Sequence, residues 1–132
     1  MGLADDIKGL LSTQGFSAAS VFCGDLPERP PRALCVTQTA GFGSEHAFGS
    51  VVGAAPLERM RCQLRARATD YATAETIMNG AHALLDGMRT RGMNGRLYQW
   101  ITAASSPYYL GTDDEGRPVF ACNYEIGRSL TT

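Results

Sequence analysis

Residues 57–68, L-E-R-M-R-C-Q-L-R-A-R-A, constrain the fold more than any other stretch. Met60, Cys62, Leu64 and Ala66 fall on one parity; Arg59, Arg61, Gln63, Arg65 and Arg67 fall on the other. A β-strand, whose side chains point alternately to its two faces, sorts such a run into one buried and one polar face. Directly after it, Asp70 offers a helix N-cap. Tyr71, Ala74, Ile77, Met78, Ala81, Leu84, Leu85 and Met88 then recur at helical spacing, with Gly92 as the expected stop. A half-polar strand running straight into a long amphipathic helix needs a layer of each kind to bury both apolar sides.

The rest of the chain supplies those layers. Leu3, Ile7, Leu10 and Leu11 share one helical face over residues 3–14, with Asp5 and Asp6 complementing the dipole in the first turn and Gly15 as a left-handed stop. Residues 20–24, 33–39, 96–103, 108–111 and 118–128 read as strands; in the last, Phe120, Cys122, Tyr124 and Ile126 share the apolar parity. The proline-rich residues 25–32 form an extended connector. Residues 40–56, with glycines at 41, 43, 49 and 53, have no period and read as a long flexible loop that orders on a partner. The expected fold is one α+β domain over residues 1–132. It has a mostly antiparallel sheet of about four to five strands, with a short N-terminal helix and one long helix packed on it.

Function is less legible. The charges nearly cancel, 12 basic against 13 acidic residues, which argues against a general nucleic-acid coat. No 18-residue apolar run is present, so no membrane span is expected, and the first residues lack the pattern of a signal peptide. Cys23, Cys35, Cys62 and Cys122 have no paired spacing, so they read as reduced, mostly buried thiols rather than metal ligands or disulfides. His46 and His82 have no second ligand at metal spacing, and His82 pairs most simply with Asp86 one turn on. Gly41-Phe42-Gly43 lacks the remainder of a phosphate loop, and Ser44 beside His46 is not an oriented nucleophile. No catalytic residue, cofactor or metal site is therefore assigned, and the chain does not read as an enzyme.

Two charged features remain. Arg59, Arg61, Arg65 and Arg67 share one strand face, and Asp113, Asp114 and Glu115 crowd one turn. The stripe is either a solvated face balanced by neighbours such as Glu125, or an interface with carboxylates or phosphates, both of which suit arginine. Against phosphates stands the lack of aromatics interleaved with the stripe along its own strand.

In order along the chain stand an N-terminal helix, Gly24-Asp25-Leu26-Pro27-Glu28-Arg29-Pro30-Pro31, a strand ending Thr37-Gln38-Thr39 and a glycine-rich loop. Then come Leu64-Arg65-Ala66-Arg67, a helix opening Asp70-Tyr71-Ala72, Leu110-Gly111-Thr112-Asp113-Asp114-Glu115-Gly116-Arg117, and Asn123-Tyr124-Glu125-Ile126. This ordered set, from about residue 3 to 128, resembles the minor capsid or tail terminator proteins of long-tailed bacteriophages. The resemblance implies a structural virion protein of the tail and neck, assembled in the bacterial host cytoplasm. Such proteins cap the tail tube as a ring, usually of six copies, stop its polymerisation and join it to the head-side connector. The implied partners are further copies of the chain, the major tail tube protein, and a connector or stopper protein. DNA is only in transit through the lumen, and no membrane is involved. Candidate interface residues are Arg59, Arg61, Arg65, Arg67, Phe42, His46, Phe48, Asp113, Asp114 and Glu115, the stripe and the acidic turn being candidate complements. The rival reading is a small cytosolic module that binds a ligand beneath loop 40–56, or nucleic acid along the arginine stripe.

Overall fold

In the computed structural model, residues 3–13, 20–28, 31–45, 57–93 and 96–129 are described. The elements run α1 (Leu3–Thr13), β1 (Val21–Cys23), β2 (Ala33–Glu45), β3 (Leu57–Arg67), α2 (Tyr71–Leu85), β4 (Met88–Met93), β5 (Arg96–Ala103), β6 (Tyr108–Thr112) and β7 (Pro118–Ser129). The strands form one sheet in the order β1-β2-β3-β7-β5-β4, with β6 also paired to β7. Pairing is antiparallel except between β1 and β2, which are parallel. The fold is α+β as expected, but the sheet is mixed and has seven strands rather than four or five.

The alternation in β3 sorts as its sequence requires. Met60, Cys62, Leu64 and Ala66 are buried, and across β7 they meet Ile126, Tyr124, Cys122 and Phe120, also buried. Over this face lie Leu3, Ile7, Leu10 and Leu11 of α1 and Ala74, Met78, Ala81 and Leu85 of α2, all buried. Asp70 caps α2 as expected: its carboxylate accepts the Thr73 N–H at 3.1 Å and the Thr73 hydroxyl at 2.7 Å. Its pKa falls below the ordinary carboxylate value, chiefly through those Thr73 bonds.

Two sequence expectations fail where a local turn overrides a period. The long helix does not reach Gly92. It ends at Leu85, with the Asp86 N–H bonded to the His82 carbonyl at 2.9 Å, because Gly87 takes the left-handed conformation at φ 84°. Met88, whose spacing fits the helical stripe, instead opens β4 opposite Ile101 and packs on the core from the sheet. Likewise, β2 continues through Gly41, Phe42 and Gly43 to Glu45, paired with β3 through two irregularities that absorb the loss of period. The glycine-rich segment is thus partly strand, and residues 46–56 lie outside the described residues.

At one end of the core Asp6, Tyr98 and Arg128 are buried together. The Tyr98 hydroxyl donates to the Asp6 carboxylate and accepts from Arg128 Nη1 at 3.2 Å; Arg128 lies 3.8 Å from Asp6. Asp6 is therefore more than a dipole partner for α1. It ties α1 to β5 and β7 through a buried charge pair. Burial, followed by the bond to Asp6, raises the Tyr98 pKa.

Candidate assembly interface

The sheet's second face lies opposite both helices. Directly opposed residues in a ladder share a face, so register assembles this surface row by row. Arg59 stands opposite Gly127, Arg61 opposite Glu125, Gln63 opposite Asn123, Arg65 opposite Ala121 and Arg67 opposite Val119. On the far side of β7, Gly127 meets Trp100 and Glu125 meets Thr102; beyond β5, Trp100 meets Arg89.

The four arginines of β3 do not make a uniform cationic stripe. Arg67 is only 2% exposed. Its Nε donates to the Pro31 carbonyl at 3.3 Å, and its Nη1 lies 3.7 Å from Asp113. Burial, followed by the neighbouring Arg117, lowers its pKa, with Asp113 and Glu115 opposing. Arg65 is half-buried. Its Nη2 donates to the Gly24 carbonyl at 2.8 Å and to Thr37 Oγ1 at 3.3 Å, while its Nε is buried with no partner. These two side chains fasten β1 and the proline-rich connector to the sheet. Arg61 is exposed and paired with Glu125 at 3.0 Å, the balancing acid expected from the sequence. Arg59, next to it, is exposed.

The acidic turn is equally divided. The Asp113 carboxylate accepts the backbone N–H groups of Glu115 at 3.0 Å and Arg117 at 2.8 Å, and Arg117 Nε at 2.7 Å. Desolvation pushes this carboxyl up, but the Arg117 and Glu115 bonds outweigh it and hold its pKa below the ordinary value. Gly116, at φ 76°, closes the turn, and Arg117 reaches back to the Glu28 carbonyl at 2.7 Å. A hollow of about 410 Å³ here is lined by Leu26, Glu28, Arg67, Asp113, Asp114, Glu115 and Arg117. The stripe and the turn therefore meet inside one chain, through Arg67 and Asp113. Asp114 projects into solvent at the tip, and Glu115, exposed, lies 3.4 Å from Arg117.

At the opposite end of β3 lies a residue that the linear sequence does not flag. Trp100, the chain's single tryptophan, lies across Gly127 so closely that a Cβ on that glycine would be 2.4 Å from its ring. Arg59, Met60, Arg61, Trp100, Glu125 and Ile126 line a hollow of about 300 Å³. The aromatic missing along the strand is thus supplied across it, by register. The signal was a glycine in an otherwise full strand, which marks close approach of another group.

Among the other candidates, Phe42 belongs to the β2 backbone, and His46 and Phe48 lie outside the described residues. His82 Nε2 is 3.8 Å from Asp86, as expected, and its Nδ1 shares a 2.8 Å hydrogen bond with Tyr124 that ties α2 to β7. All four thiols are free. Three are buried, and Cys23 is exposed. Burial pushes Cys62 up to about 12 and also raises Cys122, which makes both poor nucleophiles at neutral pH. Among the described residues no cluster of His, Cys, Asp and Glu could hold a metal ion, and no helix is long and apolar enough to cross a membrane. Tyr71, Tyr109 and Leu110 are exposed beside the acidic turn, with Tyr71 and Tyr109 packed on each other and on Phe120 at 4.9–5.6 Å between ring centres.

A sheet covered by helices on one side, and on the other carrying rows of arginine, acid and tryptophan, defines a small α+β protein with one open polar sheet face. A sequence model of the bacteriophage tail terminator protein matches residues 2–129, and the chain belongs to that family. It is a structural protein of the phage tail and a virion component. No curated protein matches the chain. Among solved structures it is similar to a chain of the virion of a native gene transfer agent particle. That match has a TM-score of 0.61 and 10% identity, and covers 96% of this chain and 94% of the other, a likeness of fold.

Proposed function

We propose that this protein closes the head-proximal end of the phage tail tube as a ring of six copies, stops tube polymerisation and presents a surface to the head-side connector. The observation that carries the reading is the family match, which spans nearly the whole chain. The surface supports it. One sheet face carries charged and aromatic rows, while β6 and its neighbourhood expose Tyr71 and Tyr109, a residue type that concentrates in protein contacts. The partners are further copies of the chain, the tail tube protein, and a connector or stopper protein. DNA passes through the lumen. The work is done by binding alone, with no cofactor and no turnover.

The test is the native mass of the purified protein, with negative-stain images of the same sample, alone and with tail tubes. The reading expects annular particles of about 85 kDa, six copies of a 14.1 kDa chain, or rings that form on tube ends. Tubes that stay uncapped and keep growing in excess protein would overturn it. A nucleic-acid module draws support from Trp100 between arginines. It predicts affinity for DNA that falls steeply with salt in the absence of any tail component.

A further inference from the structure

We propose that neighbouring copies join through the tyrosine corner at β6: this corner of one copy, with the acidic turn that follows it, receives the arginine-rich β4–β5 hairpin of the next, Arg89 foremost. This rests on the ring reading above and names the contact which that reading leaves open.

The corner has an apolar part and a charged part. Among the described residues, the large apolar side chains left exposed are Tyr71, Tyr108, Tyr109 and Leu110. All lie on β6 or, as Tyr71 does, pack against it. A cluster of exposed apolar side chains rimmed by polar ones marks a contact surface. Among the described residues β6 pairs on one side only, with β7, and it carries no charged residue to turn a partner away. The turn that follows is acidic in balance. Its hollow of about 410 Å³ is lined by four carboxylates, Glu28, Asp113, Asp114 and Glu115, against two guanidiniums, Arg67 and Arg117. Both guanidiniums are already set against Asp113, and Arg117 also against Glu115. The excess is negative, and Glu28 and Asp114 are exposed. An occupant of the corner must therefore bring positive charge together with apolar area.

The chain itself carries such a segment. From Met88 to Arg96 it reads M-R-T-R-G-M-N-G-R, with three arginines, two methionines and no acid. Arginine, methionine and aromatic residues are the types enriched in protein contacts. β4 is the last strand of the sheet on its side, and Arg89 on it is exposed. A guanidinium can pair with a carboxylate and also lie over a tyrosine face.

Geometry makes that hairpin a second copy's. Arg89 stands level with Gly127 of β7, through Trp100, whereas the acidic turn leaves β6 at Thr112, level with Pro118. From Pro118 to Gly127 the strand spans roughly 30 Å at about 3.3 Å per residue, beyond the reach of an arginine side chain. The hairpin therefore cannot fill the corner of its own chain. A contact between two different patches of one molecule is heterologous, and heterologous contacts close into rings when the rotation allows.

The experiment uses full-length protein and three variants: Arg89→Glu, Asp114→Arg, and the two combined. Native mass gives assembly, with tail tubes present if the wild-type ring needs them. Each single variant should raise the concentration needed for assembly by at least about tenfold. The combined variant should recover. An equimolar mixture of the two single variants should also form rings, because alternation joins one reversed pair and one native pair in turn around the ring. Recovery by mixing shows that both variants are folded. Single variants that assemble like wild type overturn the proposal and leave the ring reading intact. So do single variants that neither the combination nor the mixture restores. Rings of unchanged mass that no longer bind tube ends when Asp114→Arg is present give the corner to the tail tube protein and overturn the contact between copies. Wild-type protein that makes no ring, alone or on tubes, overturns the ring reading itself and this contact with it.

Discussion

Replacing Gly127 with alanine tests whether Trp100 lies where register places it. An added Cβ would sit 2.4 Å, 2.5 Å and 2.6 Å from Trp100 Cη2, Cζ2 and Cζ3. Carbon atoms rest at about 3.5–4.0 Å, so the ring must withdraw by roughly 1 Å or more. It cannot do so by a small adjustment, because a planar ring on two torsions moves as a body. Overpacking costs about 1–3 kcal/mol, and the low end applies here because the ring faces a half-open surface and swings toward solvent. Alanine in place of glycine also restricts the unfolded chain, which returns about 0.4–1 kcal/mol. The net expectation is a loss of no more than about 0.6 kcal/mol in urea unfolding followed by circular dichroism, with a red shift of the tryptophan emission in the folded protein. In a Trp100→Ala background the clash is gone, so Gly127→Ala should become neutral or stabilising. That reversal of sign is a coupling that only contact between the two residues produces. Equal destabilisation in both backgrounds, or unchanged emission, would refute the placement of the ring across Gly127.

Three further expectations follow from the buried groups. Asp6→Ala removes the carboxylate that faces the buried Arg128 guanidinium and should cost about 3 kcal/mol, whereas Asp6→Leu with Arg128→Met should cost far less; thermal unfolding separates the two, and equal losses would mean that the charge pair is solvated. Asp113, with its pKa held below the ordinary value, stabilises the fold above the unfolded carboxyl value of about 4, and that contribution is lost as pH falls through the lower folded value. Asp113→Asn should therefore flatten the acid limb of a stability–pH profile, and an unaltered profile would count against the turn described. With a thiol reagent at neutral pH, Cys23 alone among the four cysteines should react in the folded protein, since the other three are buried and Cys62 stays protonated up to about 12; a second fast thiol would contradict the packing beneath α2.

The parts of the fold legible in sequence were those with one dominant period. The parity of β3 and β7 and the face of α1 emerge residue for residue, because an apolar side chain on the wrong face has nowhere to go. The errors arose where two signals overlapped. Met88 satisfies the spacing of α2, and nothing in periodicity alone registers that Gly87 has already reversed the chain. The glycines at 41 and 43 weaken the strand signal in β2, yet the facing residues Leu57 and Glu58 keep pairing past them. Tyr71 meets the helical spacing but is half-exposed, since its partners are Tyr109 and Phe120 at the sheet edge rather than the core.

The candidate interface was legible only as residue types, and the reason is physical. A run such as Arg59, Arg61, Arg65, Arg67 looks uniform because sequence gives spacing along a strand and not what lies on either side. The neighbouring strands decide the fate of each arginine. The Pro31 carbonyl and Asp113 take in Arg67, Gly24 and Thr37 hold Arg65, Glu125 pairs with Arg61, and Gly127 with Trp100 lies beside Arg59. A charge stripe is thereby converted into a gradient, structural at one end and exposed at the other. The acidic turn is graded the same way, from Asp113 locked within the chain to Asp114 in solvent.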